Sequence, residues 1–316
     1  MEAFNQPSRR SKKTFGVVNT EPRPFFSIEI KVYKKMPIIN KNTNNSLDRI
    51  LNHLACPKCA VKLNWQTLYL HCDSCNTSYP VDKGIVDLRK NTNCDDNEIN
   101  QWDEHWDGSK QEALSQKFFS FYRKTVCART VRHFVNRYFN TTGIFVEAGS
   151  GTAETSSRIN KLGSQRTLVA LDAIFHVLER CHPVMDVRVC ANIFHLPFCE
   201  DSIDGIWNLG VMEHFTHEQI DQIMQEFFRV LKPKGTIILF WPAANSIPPK
   251  LLNFGENLIN KMKRTKDFRF HPPEISQLQS TKECYDILER NGFKVSHIDF
   301  GLKSLMAFKT VIGEKK

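Results

Sequence analysis

One stretch of this chain leaves little choice of fold: Ile144-Phe-Val-Glu147-Ala-Gly149-Ser150-Gly151, followed by Leu168-Val-Ala-Leu-Asp172. The order is apolar strand, glycine turn, helix, second apolar strand and carboxylate, the pattern of a nucleotide-binding crevice in a parallel sheet. The strand delivers Glu147 to its carboxyl end. Gly149 and Gly151 allow a tight turn and a close approach of backbone to ligand. The helix expected next would point its unpaired N–H groups at the site, where a ligand carboxylate or phosphate can sit. Asp172 falls 21 residues after Gly151, the distance at which an acid reaches both hydroxyls of an adenosine ribose. Glu154 stands where the dinucleotide fingerprint has its third glycine, which weakens a nicotinamide reading.

The stretch from 187 to 241 extends the pattern. Val187–Asn192 predicts a third strand, Ile193–Phe198 a loop, and Ser202–Gly210 a fourth strand running into Val211-Met-Glu-His214. A helix over 217–231 follows, because Ile220, Ile223, Met224, Phe227, Phe228 and Leu231 recur at three and four. Lys232-Pro-Lys-Gly235 stops it before a strand over Thr236–Trp241. Pro273–Gly292 predicts a further helix with Ile275, Leu278, Ile287 and Leu288 inward. Phe293–Ile298 and Leu305–Val311 then predict two strands joined by a turn around Gly301.

Three motifs in this order, the Asn192–Phe198 loop, the Glu213-His214 pair and the Arg229–Gly235 helix stop, together with the acidic residue and G-x-G before them, resemble class I S-adenosylmethionine-dependent methyltransferases, in particular the small-molecule branch. Ala153 replaces the last glycine of that family's first motif. The resemblance covers about residues 100–316 and implies an α/β fold. That fold is a Rossmann-like seven-stranded, mostly parallel sheet with helices on both faces, its last strand inserted antiparallel. It also implies S-adenosylmethionine as cofactor, with Glu147 at the ammonium end directly or through water, Gly149, Ser150 and Gly151 in the cradle, and Asp172 with Ala173 at the ribose. Asn192 stands where the family usually has Asp at the adenine amino group; an amide oxygen still accepts, and its NH2 can donate to a ring nitrogen. Ile193 either packs on the adenine face or simply fills a strand end. Asn208 helps to orient the cofactor. His214 is either the general base that takes the acceptor's proton or a histidine that holds a loop.

A second motif is independent of the first. Cys56-Pro-Lys-Cys59 and Cys72-Asp-Ser-Cys75 are two C-x2-C knuckles separated by twelve residues. Four thiolates at this spacing fit a tetrahedral zinc ion in a closed, structural site, whereas two disulfides would need an oxidising compartment. Residues 46–90 resemble the small zinc-ribbon activator subunit that partners several eukaryotic RNA and protein methyltransferases. So short a segment buries little core, and bound metal would supply the missing folding free energy. Whether the ribbon steadies its neighbour or grips a substrate stays open here.

The sequence thus divides into a basic, partly disordered arm over 1–45, a zinc ribbon over 46–90, a linker over 91–110 and a methyltransferase domain over 111–316. The net charge of +9 is concentrated: residues 1–41 carry +6, residues 250–270 carry +4, and the rest is near neutral. The arm holds the cluster Ser8–Lys13 and an alternating stretch, Phe26–Val32, able to dock as a short strand. Lys250–Phe270, after the fifth strand of the domain, reads as an amphipathic substrate lid followed by Lys261, Lys263, Arg264 and Lys266. Such a lid favours an acidic or phosphorylated acceptor; a lipid or polyanion surface is the alternative. Trp102 and Trp106 precede the first long helix and suit either closure over the site or packing. The longest apolar run, Ile237–Trp241, is five residues, so a soluble, cytoplasmic protein without a membrane span is expected. The acceptor expected is a small molecule, lipid or sugar derivative. RNA is the alternative that a ribbon plus a basic arm would suit, as in bacterial ribosomal-RNA guanine methyltransferases, and a catalytically silent binding or activator protein is a third.

Overall fold

The computed structural model describes residues 47–66, 69–89, 120–161, 164–242, 275–301 and 308–316. The arm with its Phe26–Val32 stretch, the linker with Trp102 and Trp106, and the Lys250–Phe270 segment lie outside the described residues.

Four strands come from the cysteine-bearing segment: β1 (Asn64–Gln66), β2 (Tyr69–Cys72), β3 (Thr77–Asp82) and β4 (Ile85–Asp87). Seven follow: β5 (Thr142–Ala148), β6 (Gln165–Asp172), β7 (Val187–Cys190), β8 (Ile203–Leu209), β9 (Leu231–Pro242), β10 (Phe293–Asp299) and β11 (Phe308–Lys315). All eleven form one sheet, in the order β1-β2-β3-β4-β7-β6-β5-β8-β9-β11-β10. The expected seven-stranded sheet is therefore corrected. β4 pairs in parallel with β7 through Ile85↔Arg188, Val86↔Val189 and Asp87↔Cys190, so the cysteine segment extends the sheet. The physical reason is that β7 would otherwise present an unpaired edge, and a covering strand satisfies its backbone groups.

The centre of the sheet is parallel, and β11 lies antiparallel between β9 and β10. Strands buried on both faces read as continuous apolar runs, which is why Leu168–Leu171 and Ile237–Trp241 carry no polar alternation. Period two sorts β5 across two cores. Ile144, Val146 and Ala148 face a core shared with Leu54, Phe198 and Phe227, whereas Phe145 faces a second core with Val131, Phe134 and Trp207.

Among the described residues the α-helices are α1 (Ala128–Tyr138), α2 (Phe175–Glu179), α3 (His217–Val230) and α4 (Thr281–Arg290). α3 starts at a capping box in which the Thr216 side chain accepts from the Gln219 N–H and the Gln219 side chain accepts from the Thr216 N–H. The spacing selected four of its buried residues, Ile220, Ile223, Met224 and Phe227; Val230 is buried as well, and Phe228 is half-buried. The expected strand start at Thr236 is earlier in the structure, because Leu231 already pairs with Ile203 before a register shift.

Two helix expectations fail. No α-helix follows Gly151; the chain makes a 3-10 turn, Glu154–Ser156, after Ala153 takes a left-handed φ of 54°. The reason is a buried carboxylate, Glu147, which draws the hydroxyls of that turn to itself. The helix expected from Pro273 begins only at Thr281. The N–H groups of Ile275 and Ser276 are engaged by the Glu213 carbonyl, and Ile275 is 60% exposed rather than inward.

Candidate functional site

The strand register brings the expected site residues to one edge of the sheet. Glu147 pairs with Ala170 on one side and Trp207 on the other, so Ala148, Leu171 and Asn208 lie one step further toward the carboxyl ends. Asp172 pairs with Cys190, and Asn192 follows two residues later.

The glycine loop is closed by Asp172. One carboxylate oxygen accepts from the Gly151 N–H at 2.8 Å, and the other from the Ile174 N–H at 2.9 Å. The N–H groups of Gly149 and Ser150 both donate to the Leu171 carbonyl. Gly149 has φ +75°, and a Cβ there would stand 2.6 Å from Val211 Cγ2, so only glycine fits beneath the loop that follows β8. Ser150 is buried and its hydroxyl bonds the neighbouring Gly151 carbonyl. Burial pushes the Asp172 carboxyl above its ordinary range, with the N–H groups of Ile174, Gly151 and Ala173 acting against that rise.

Glu147 is buried, accepting from Thr155 Oγ1 at 3.1 Å and Ser156 Oγ at 2.8 Å. Trp207 Nε1 donates in turn to Ser156 Oγ at 3.3 Å. Burial raises the Glu147 carboxyl to about 7, against the opposing hydrogen bonds. The turn bearing these hydroxyls is anchored by Glu154, which binds Arg123 at 3.0 Å, Lys124 at 3.1 Å and the Ser120 hydroxyl at 3.0 Å. Burial opposes ionisation of Glu154, but the hydrogen bonds from Arg123, Lys124 and Ser120 hold its carboxyl below the usual range. Sequence reasoning missed Thr155, Ser156 and Trp207. Hydroxyls eight and nine residues after an acid carry no periodic signal, and Trp207 sits inside an apolar strand as a core residue would.

At the end of β7, Asn192 Oδ1 accepts from the Phe194 N–H at 3.0 Å, so the amide oxygen is engaged within its own loop. Ala173 offers its carbonyl to the Cys190 thiol. Ile193 is half-buried against the core. Asn208, at the end of β8, is 1% exposed, and neither of its amide atoms has a hydrogen-bond partner among the described residues. Buried amides of this kind are rare and mark a place where a polar partner is required. His214 ends the 3-10 turn Met212–His214, its Nε2 lying 3.8 Å from Glu213 Oε1. Phe194 and Phe215 meet edge to face at 5.2 Å between ring centres, just beyond the ends of β7 and β8. The loop cradle, the two acids and the unpaired Asn208 amide fit a bound adenosyl amino acid: glycine for close approach, carboxylates for hydroxyl and ammonium groups, an amide for a polar edge.

The comparisons follow the same boundaries. Residues 146–239 match the model of the methyltransferase domain family. This stretch, under a third of the chain, is similar to that family. The matched stretch includes Glu147, the glycine loop, Asp172, Asn192, Asn208 and His214. An uncharacterised methyltransferase of Schizosaccharomyces pombe is 30% identical over 114 residues, which are 34% of this chain and 43% of that protein. The chain thus spans less than half the length of this curated relative. Among solved structures, a Methanosarcina mazei S-adenosylmethionine-dependent methyltransferase is 16% identical with a TM-score of 0.43, covering 58% of this chain and 96% of its own. A Burkholderia thailandensis 1,6-didemethyltoxoflavin N1-methyltransferase, solved with its substrate and S-adenosylhomocysteine, is 9% identical with a TM-score of 0.49, covering 80% and 99%. Among the described residues no helix is long and apolar enough to cross a membrane.

The cysteines form a second cluster. The four sulfurs of Cys56, Cys59, Cys72 and Cys75 lie within 4.8 Å of one another, with Cys56–Cys75 at 3.6 Å and Cys59–Cys72 at 3.4 Å. Sulfurs about 2.3 Å from a tetrahedral zinc ion stand about 3.8 Å apart, whereas a disulfide needs about 2.05 Å. The nine described cysteines are all unbridged. Tyr79 hydroxyl contacts Cys56 Sγ at 3.1 Å, and the Thr77 hydroxyl lies 3.3 Å from Cys75 Sγ. The Thr77 contact holds the Cys75 thiol down to about 6, while burial pushes Cys72 up to about 12. Four sulfurs packed this closely ionise together only around a cation, so the donor set fits zinc.

Proposed function

We propose that this protein transfers the methyl group of S-adenosylmethionine to a small-molecule acceptor. The observation that carries the reading is the convergence of Glu147, the Gly149–Gly151 loop, Asp172, Asn192 and the unpaired Asn208 amide at the carboxyl edge of β5–β8, within the matched domain. S-adenosylmethionine supplies an activated methyl that needs only a nucleophile held in line, so positioning and exclusion of water carry much of the rate. In this reading Asp172 holds the ribose while closing the loop, and Glu147 faces the ammonium end across its hydroxyl partners. Ala173 and Ile193 wall the adenosine and Asn192 meets the adenine edge. His214 takes the acceptor's proton. The four-cysteine segment holds structural zinc. A near-neutral charge outside the two basic segments favours a small acceptor over a polyanion.

The test has two arms on the full chain. Calorimetry with S-adenosylhomocysteine should give saturable one-site binding, and its absence removes the cofactor. Cell extract incubated with methyl-labelled cofactor should place label in the small-molecule fraction. Label confined to RNA would move the acceptor to nucleic acid.

A further inference from the structure

The loop that carries Asn192 is held from outside the domain. At its start, the Leu88 N–H, just past β4, donates to the Cys190 carbonyl at 2.8 Å. At its far end, the Ala55 N–H donates to the Pro197 carbonyl at 3.0 Å, and the Cys199 N–H donates to the His53 carbonyl at 2.8 Å. Leu54 forms an antiparallel bridge with Phe198, and both side chains are fully buried in one core. α3 grips the loop from the other side through Glu226 to the Leu196 N–H and Arg229 to the Leu196 and Phe198 carbonyls.

The residues that grip its far end, His53, Leu54 and Ala55, run directly into the first cysteine knuckle. Ala55 directly precedes Cys56, whose N–H closes the knuckle onto the Val61 carbonyl at 2.8 Å, while Leu63 donates back to Leu54. β4 pairs with β3, which pairs with β2 and so reaches the second knuckle at Cys72. The segment's buried residues Leu54, Leu63, Leu70 and Tyr79 join the core of the main sheet, and bound metal would fix its two cysteine turns against each other. Loss of the metal would therefore loosen the Pro197, Cys199 and Cys190 contacts together, leaving the loop on α3 and on the Ala191 N–H bond to the Asp172 carbonyl.

We infer that the four-cysteine metal site and the adenosine side of the cofactor site are thermodynamically coupled through the Asn192–Cys199 loop. Metal loading orders the loop that meets the cofactor, and bound cofactor tightens the metal. The inference rests on the cofactor reading proposed above. Linkage requires the two effects to be equal in factor, since each ligand biases the same loop. Asn192 is thus a binding residue, and Ala55, His53 and Leu88 are positioning residues that act through it.

The experiment uses the full chain, zinc-loaded, with S-adenosylhomocysteine as probe. Stepwise chelation with metal release followed by a colorimetric dye should weaken its affinity at least tenfold. Hydrogen exchange should accelerate over 190–199 while 205–209 and 237–241 stay protected. Reciprocally, saturating S-adenosylhomocysteine should slow zinc release and raise zinc affinity by the same factor. Equal affinity before and after complete metal loss, or unchanged exchange over 190–199, overturns the inference. If the loaded protein binds no S-adenosylhomocysteine, the cofactor reading fails instead, and the exchange measurement still decides whether metal orders the loop. If chelation unfolds the whole chain, Arg188→Ala replaces it, since Arg188 Nη2 donates to the Lys83 carbonyl at 2.7 Å and clamps the β3–β4 turn to β7 without touching a cysteine. That variant should release zinc faster and bind S-adenosylhomocysteine more weakly. Wild-type values for both overturn the coupling.

Discussion

The Gly151 N–H donates to the Asp172 carboxylate at 2.8 Å, so the acid at the end of β6 closes the loop at the end of β5. One side chain therefore shapes the cradle and, in the proposed function, meets the ribose. Asp172→Ala should lose about 2 kcal/mol of stability, as charged hydrogen bonds to two main-chain groups are removed. S-adenosylhomocysteine affinity should fall at least tenfold, while Asp172→Asn, which keeps one acceptor, should lie between. Calorimetry beside urea unfolding checks both; wild-type affinity in the alanine variant contradicts the ribose role.

Glu147 gives a pH signature. Burial raises its carboxyl to about 7 from an ordinary 4.5, so between these values the folded state binds more protons than the unfolded chain. Stability should accordingly fall as pH rises from 4.5 through 7, by about 3 kcal/mol at most. Glu147→Gln should flatten that slope. Affinity for the cofactor, which needs the ionised carboxylate opposite an ammonium, should instead rise across the same window. Unfolding midpoints at several pH values that run parallel for the two proteins would remove the assignment.

Gly149 is confined by Val211. Gly149→Ala places a methyl 2.6 Å from Val211 Cγ2 at a φ of +75°. A cost of about 1–3 kcal/mol is expected from the clash together with the left-handed backbone. Adding Val211→Ala should recover the clash and leave the backbone part, which a double-mutant cycle in thermal unfolding separates. Full additivity of the two changes would show that they do not touch.

The zinc assignment predicts one metal ion per chain by elemental analysis. Cys72→Ser removes one of four clustered ligands, and both metal content and several kcal/mol of stability should go with it. A protein that is equally stable and metal-free in both forms has no zinc site.

If His214 takes the acceptor's proton, His214→Ala should lower turnover about 100- to 10,000-fold with cofactor affinity unchanged. Undiminished turnover would leave it the task of holding the 213–215 turn.

Much of the architecture was legible because it rests on local rules. The buried runs Leu168–Leu171 and Ile237–Trp241 and the three-four spacing of Ile220, Ile223, Met224 and Phe227 each name an element without reference to the rest of the chain. The cysteine spacing likewise named four residues whose sulfurs lie within 4.8 Å of one another. The partners of Glu147 were not legible. A buried carboxylate takes whichever donors the chain can bring to it, and here those are Thr155 and Ser156, drawn from a stretch that local pattern marked as helix. Ile275 fails similarly: its helical spacing is overridden by the Glu213 carbonyl, which takes its N–H.

The residue string alone determined the strand–loop–strand core, the acids at its edge and the thiol tetrad, since periodicity, glycine φ and ligand spacing act within a few residues of one another. Only tertiary structure decided that β4 covers the edge of β7, that residues 53–55 hold the loop of Asn192, and that Asn208 is buried without a partner among the described residues. Those outcomes depend on which unsatisfied backbone edges and polar groups meet in space, and residues more than a hundred positions apart, such as Leu54 and Phe198, supply the contacts.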